Sequence, residues 1–421
     1  MRRFTLGCLL LVVFTVPWEG LVFFEGIGTL TRLLGYVALL SGLIAATRSR
    51  LRHPGLPHVF VAGYLFWCYC SSLWSVDPDT TVARVLVYLR LVGFAWLIWE
   101  FVRTRPQQIR LLHGYILGCA VSIVGIGWAA WMGASPIGLG EKVRYSGGGM
   151  NANELAAILA ISVIAAVYLA RSSSRAGFRP VLYWMHSAAA SVAVLLTGSR
   201  AGFIVLAMGL AYTISARQGK GMTARFGILA VVASTILFAQ LILPPYLQDR
   251  IRGIPDEVRY GSWSSRKDIL KVGIEIVKEA PIVGIGCGAF GAAVRPVFGG
   301  VKDAHNTYLS VQSGTGVVGS VLFFSFPLLL FARTLRLPWD ERLLWSTLFL
   351  MWAVMGYSGS MDAVKTTWFL FGLCLSWVAG ASGEWRTGRA DSSAMRAIPW
   401  SNRGAGWRDG RLPQRTGGSP Q

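Results

Sequence analysis

Apolar runs long enough to cross a bilayer, separated by short polar connectors, recur along this chain almost from end to end. A spanning helix rises about 1.5 Å per residue and needs about 20 mostly apolar residues. On that measure the sequence predicts about twelve spans, near 5–23, 30–47, 57–74, 82–101, 110–132, 150–170, 181–197, 200–216, 224–242, 308–332, 341–357 and 364–380. The pattern is interrupted at length once, between Pro244 and Asn306. Within that segment Ile269, Val272, Gly273 and Ile276 repeat at helical spacing until Pro281, which predicts an amphipathic helix on the membrane surface, capped by a serine of Gly261-Ser262-Trp263-Ser264-Ser265. The fold class expected is an all-α polytopic membrane protein with one large loop, 243–307, carrying that helix.

Composition agrees with this picture, and charge orients it. With 421 residues, 53% of them hydrophobic and 14% charged, the chain is too apolar for a soluble globule and too long for a simple anchor. A formal charge of +20 would suit nucleic acid, but the basic residues fall in small groups between apolar runs and form no continuous face. Nucleic acid is therefore not an expected partner. The groups are Arg48, Arg50 and Arg52; Arg103, Arg105 and Arg110; Arg171, Arg175 and Arg179; Arg217, Lys220 and Arg225; and Arg333, Arg336 and Arg342. Each follows an even-numbered crossing, so the positive-inside rule puts these five loops and both termini in the cytoplasm. The loops around Glu25, Asp77-Pro78-Asp79, Arg144, Gly198-Ser199-Arg200, 243–307 and Asp362 then face outward. Nucleotide sugars are absent on that side. An enzyme working there needs a donor already carried across by lipid, which points to polyprenyl-linked substrates.

The ends and the cysteines add less. The first span follows Met1-Arg2-Arg3, but Pro17-Trp18-Glu19 offers no small-residue cleavage site, so it is read as a retained span. Residues 381–421, rich in Gly, Ser, Pro and Arg, read as a disordered cytoplasmic tail touching anionic lipid headgroups, which leaves 1–380 as the membrane domain. Cys8, Cys68, Cys70, Cys119, Cys287 and Cys374 show no zinc spacing. No disulfide, metal cluster or cofactor is expected.

Four places have residues suited to chemistry. Arg200, in Thr197-Gly198-Ser199-Arg200-Ala201-Gly202, sits in a connector so short that its guanidinium is held at the outer face. It reads as a planar ligand for phosphate or as an interfacial arginine reaching headgroups. Arg266 opens the amphipathic helix, where the helix dipole favours anions and makes a cation mildly unfavourable without one. His305, in Asp303-Ala304-His305-Asn306-Thr307, stands where the loop re-enters the membrane, and a neutral imidazole there suits general base work near neutrality. Asp303 is a weak candidate to orient its ring. Arg84 and Arg90 interrupt the fourth span; Arg84, nearer the outer end, is placed to extend an anion site, whereas the deeper Arg90 is expected only to pair with backbone or with a Glu elsewhere. Asp77-Pro78-Asp79 reads as a turn in preference to a metal-binding pair.

Together these residues resemble the O-antigen ligase superfamily. The resemblance rests on Gly198-Ser199-Arg200-Ala201-Gly202, on Arg266 followed by Pro281-Ile282-Val283-Gly284-Ile285-Gly286-Cys287-Gly288-Ala289-Phe290, and on His305-Asn306-Thr307-Tyr308-Leu309. Met150-Asn151-Ala152-Asn153-Glu154-Leu155-Ala156 and Trp74-Ser75-Val76-Asp77-Pro78 add to it, so it covers roughly residues 70–330. It implies a metal-independent glycosyltransferase of the bacterial inner membrane that takes a glycan from undecaprenyl diphosphate on the outer face. By that resemblance Arg200 and Arg266 hold the diphosphate and His305 serves the acceptor; apart from it, Arg84, Arg144 and Asn153 are the secondary site candidates. The chain departs from the family pattern at Ala152, where proline is common, at Leu270, where tryptophan is frequent, and at Gly314, where an acid is frequent.

The leading expectation is an O-antigen ligase, with the lipid A core as acceptor, in lipopolysaccharide biosynthesis. A repeat-unit polysaccharide polymerase, with another lipid-linked glycan as acceptor, is the alternative; a second sizeable outer loop would favour it. Twelve spans also suit a secondary transporter, for which internal repeats would be expected.

Overall fold

The computed structural model describes residues 1–48, 50–132, 145, 150–173, 178–215, 222–253, 256 and 266–381. Each predicted stretch is helical over most of its length. The helices are α1 (Arg2–Thr15), α2 (Leu30–Thr47), α3 (Leu56–Cys70), α4 (Pro78–Phe101), α5 (Arg105–Trp131), α6 (Ala152–Ser172), α7 (Arg179–Leu196), α8 (Arg200–Ser215) and α9 (Met222–Leu237). After the long loop come α13 (Thr307–Thr334), α14 (Trp339–Ser358) and α15 (Lys365–Ala381). Among the described residues, seven helical stretches are long and apolar enough to cross a membrane: Leu30–Thr47, Leu56–Leu73, Pro78–Phe101, Arg105–Trp131, Ala152–Ser172, Ala224–Leu241 and Thr307–Thr334. The first helix is shorter than the predicted 5–23. Pro17 falls in a 3-10 turn at Val16–Trp18, and a small hairpin pairing Phe23–Phe24 with Gly28–Thr29 leads into α2.

One helix forms the centre of the bundle. In α6, 89% of the most apolar window is buried, against 22% for the window over α9. Its run Leu155-Ala156-Ala157-Ile158-Leu159-Ala160 is apolar on every face, as a helix enclosed by others requires. Helices α7, α8 and α14 pack around it, while α4 and α15 form a second tight pair. Small residues set these distances: an added side-chain carbon at Gly202 would lie 2.6 Å from Ala156, and one at Gly372 would meet the Ala95 backbone at 2.8 Å.

The long loop is more structured than its sequence suggests. It contains α10 (Pro245–Arg252), α11 (Arg266–Glu279) and α12 (Phe290–Phe298). Helix α11 is the predicted amphipathic one, and it buries Ile269, Gly273 and Ile276 as the spacing required. It rests on α13, where Gly273 meets Leu309. The predicted serine cap lies outside the described residues, as do Arg144 and the tail from 382 onward. Helix α12 was not foreseen. Its signal is present all the same, in Phe290, Val294 and Phe298 at four-residue spacing before a left-handed Gly299.

Helix α13 is not continuous, because Gly316 has φ 64° and ψ −167° within it. The broken turn would strand backbone groups in an apolar setting, at several kcal/mol each. The stretch Pro281–Cys287 supplies their partners. Ile285 and Gly286 N–H donate to the Ser313 and Gly314 carbonyls at 2.9 and 3.0 Å, and Val317 and Val318 N–H donate to Pro281 and Ile282 at 2.9 and 3.3 Å. Trp67 Nε1–H closes the Thr315 carbonyl at 2.9 Å.

Candidate functional site

The glycine-rich stretch that mends α13 also sets the floor of a polar cluster at one end of the bundle. Gly284, Gly286 and Gly288 have φ of 73°, 109° and 79°, a region that side-chain-bearing residues avoid. Each also lacks room: an added carbon at Gly286 would lie 2.1 Å from Ser75 Oγ, and one at Gly288 would lie 2.8 Å from the Arg84 stem. Gly314 belongs to the same contact, since its added carbon would meet Gly286 O at 3.2 Å. The loop backbone occupies the space that a side chain at Gly314 would need. Val76 N–H on Ile285 O at 3.0 Å, Trp74 Nε1–H on Gly284 O at 3.1 Å and Cys287 N–H on Ser71 Oγ at 3.0 Å lock the stretch to the α3–α4 turn.

His305 is reached through a second turn. Its φ of 48° is the one positive value at a non-glycine among the described residues, a conformation that costs about 1 to 2 kcal/mol and is held by the groups on either side. Asn306 Oδ1 accepts from Leu309 N–H at 3.0 Å and caps α13. Asp303 Oδ1 accepts from Ala304 N–H at 3.0 Å, and Oδ2 accepts from Ser360 Oγ at 2.9 Å. The imidazole Nδ1 stands 3.8 Å from Asp303 Oδ2, an ion-pair distance beyond hydrogen-bond reach. Asp303 thus tethers the turn to the α14–α15 connector and biases the ring by charge more than by a direct bond. The His305 side chain keeps 39% of its surface exposed, open to a substrate.

Of the three predicted principal residues, Arg266 stands within the field of Arg200, and His305 within that of Arg266. Arg200 begins α8, where Ser199 Oγ accepts from Gly202 N–H at 3.1 Å and Gly198 turns with φ 59°. Arg266 begins α11, and the charge of Arg200 reaches it: burial first, then Arg200, lowers the Arg266 guanidinium from its ordinary value, with Asp303 opposing. Burial likewise lowers His305; Asp303 opposes it, while Arg266 and Lys302 add to it. Two like charges within each other's field, with a half-exposed imidazole in the field of one of them, are an arrangement that a bound anion would stabilise.

The secondary candidates divide. Arg84 faces the cluster from α4, within the field of Asp362, whose buried carboxyl also accepts from Tyr88 OH at 2.5 Å. Burial pushes Asp362 above the usual carboxylate range; Arg84 and the Tyr88 bond pull it back, and Asp303 adds to the rise. Sequence reasoning placed Asp362 on this side without a role, although an acid beside apolar spans is itself a signal. Asn153 stands in the first turn of α6, at the level of the Gly198-Ser199-Arg200 turn through the contact of Ala156 with Gly202. Arg90 turns elsewhere, donating to Leu86 O and Tyr36 OH at 2.9 and 3.1 Å. Asp77 caps α4 by accepting from Thr80 N–H at 3.0 Å, which is the turn reading of Asp77-Pro78-Asp79.

Residues 185–324 match the model of a protein family described as O-antigen ligase. The match supports placing the chain in the O-antigen ligase superfamily, and it contains Arg200, Arg266 and His305, whereas Arg84, Asn153 and Asp362 lie outside it. No curated protein matches the chain.

Proposed function

We propose that the protein is a glycosyltransferase of the bacterial inner membrane that moves a glycan from undecaprenyl diphosphate to an acceptor hydroxyl on the outer face. The placement of Arg266 within the field of Arg200, from a separate loop, and of His305 within the field of Arg266 supports this reading. Arg200 and Arg266 bind the diphosphate, and His305 accepts the proton of the incoming hydroxyl. The hydroxyl oxygen forms the new bond to the anomeric carbon of the first sugar. The bond from that carbon to the diphosphate oxygen breaks, and its electron pair leaves with the diphosphate. Charge on the diphosphate grows as that bond stretches, so preorganised guanidinium groups lower the barrier; one such donor is worth about 2.7 to 4 kcal/mol. Attack opposite the leaving group inverts the anomeric centre. No metal enters this scheme.

Within this chemistry the reading is a ligase, with the lipid A core as acceptor, because one sizeable outer loop, 243–307, is evident in the sequence. Purified protein given a lipid-linked glycan with and without a lipid A core tests both levels. Transfer that requires the core supports the ligase; lengthening of the lipid-linked glycan without it makes the protein a polymerase. Failure to consume the lipid-linked donor under either condition would overturn the glycosyltransferase reading itself.

A further inference from the structure

Arg84 and Arg90 lie six residues apart on α4, about 120° around its axis, so they address different surroundings. On the Arg90 side, α1, α2, α4 and α15 enclose a cavity of about 110 Å³. Leu39, Leu91, Phe94 and Leu97 give it an apolar wall, and Arg32, Arg90 and Lys365 also line it. Lys365 is paired with Glu19. Among the described residues neither Arg32 nor Arg90 has a carboxylate partner. Thr31, which lines the same cavity, is 1% exposed, and its hydroxyl has no hydrogen-bond partner. A buried hydroxyl left without a partner is costly, as is a guanidinium on a lipid-facing flank without an anion. This flank is lipid-facing in character: Leu40, Leu86 and Leu89 are 62%, 53% and 48% exposed.

We propose that this cavity binds an anionic phospholipid, whose phosphate lies between Arg32 and Arg90 with the Thr31 hydroxyl donating to it. One acyl chain follows Leu39, Leu91 and Leu97. Two guanidinium groups at the edge of an aliphatic wall match a charged head joined to a hydrocarbon chain, where a free phosphate would match the cations alone. A donor in transit is a poorer match, because its anomeric carbon must reach His305, and that residue does not border this cavity. The inference is independent of the proposed transferase chemistry.

Native mass spectrometry of the full chain, taken from nanodiscs of phosphatidylcholine with a minority of phosphatidylglycerol of the same acyl chains, tests it. Phosphatidylglycerol should be retained about tenfold over phosphatidylcholine relative to its abundance. The double variant Arg32→Gln/Arg90→Gln should abolish the preference. Gly35→Leu offers a second route if that variant folds poorly: Gly35 borders the cavity, and an added carbon there meets nothing within 4 Å, so the new side chain fills the space and should expel the lipid. Equal retention of the two lipids by the unaltered protein would overturn the proposal, as would retention that survives both changes. Displacement of phosphatidylglycerol by inorganic phosphate would assign the site to a free anion, and displacement by equimolar undecaprenyl phosphate would assign it to the carrier lipid; either result overturns the phospholipid assignment.

Discussion

The two ends of the bundle use arginine in opposite ways. At one end, arginines meet carboxylates and aromatic rings. Glu100 is fully buried, accepts from Arg52 N–H at 3.0 Å and pairs with Arg103, while Arg2 approaches it at 3.9 Å. Arg105 pairs with Glu341 and lies 3.7 Å over the Trp377 ring, whose Nε1–H donates to Glu341 at 2.7 Å. At the other end, Arg200 and Arg266 stand in each other's field beside His305. A basic residue satisfied by a buried acid holds helices together, whereas two guanidinium groups within each other's field would, on the proposed reading, favour a bound anion. The sequence shows arginines in the connectors at both ends. Their surroundings in the fold distinguish the two sets.

Substitutions at the two ends should therefore fail in different ways. The largest effect is expected at His305: His305→Ala should cut glycan transfer by about 10²- to 10⁴-fold with little change in thermal stability, and normal transfer would remove the base assignment. Arg200→Ala or Arg266→Ala should each lower turnover by about 10²- to 10³-fold. Donor binding equal to that of the unaltered protein in either variant would end the diphosphate role. Glu100→Ala should instead destabilise the protein by about 3 to 5 kcal/mol, because Arg103 loses its buried partner, while turnover per folded molecule stays the same. A thermal melt unchanged by that substitution would erase the contrast between the ends.

Gly286→Ala tests the join between bundle and loop. With Ser75 Oγ only 2.1 Å from the added carbon and φ at 109°, it should cost about 1 to 3 kcal/mol and disturb His305 positioning through the mended α13. The smallest effect concerns pH. In the proposed mechanism the neutral imidazole is the active form, and burial, with Arg266 and Lys302, depresses His305 below 6.5 against the pull of Asp303. Transfer should then persist below pH 6.5 and fall away as pH drops through the depressed value. Asp303→Asn should move that acid limb lower still, and Lys302→Ala should move it back toward 6.5. Shifts in the reverse order, read from pH–rate profiles, would show that the limb belongs to another group.

Much of the fold was legible because lipid imposes a simple rule, that backbone groups must be satisfied within each crossing. Apolar runs of sufficient length therefore became helices, and the spacing of Ile269, Gly273 and Ile276 marked the buried face of α11. The break at Gly316 was not legible, since 308–332 reads as one unbroken apolar run. Its cure lies some thirty residues earlier, in backbone groups of Pro281–Gly286 that no side-chain pattern reveals. Asp303 shows the same limit from the other side. Two positions from His305 in sequence, it spends its carboxylate on Ala304 and Ser360 and leaves the ring at 3.8 Å.

The sequence by itself determined the helical class, the register of the amphipathic helix and the identity of the charged residues that membrane helices place at a cost. Those properties follow from local periodicity and from the expense of charge in an apolar medium, which act on each segment separately. Only the tertiary structure decided which charges meet. It set Arg200 against Arg266, Arg84 beside Asp362 and Glu100 beneath Arg103. Electrostatic pairing depends on distances between helices far apart in the chain, and those distances are set by small-residue contacts such as Gly202 on Ala156 and Gly286 on Ser75, where one added carbon would not fit.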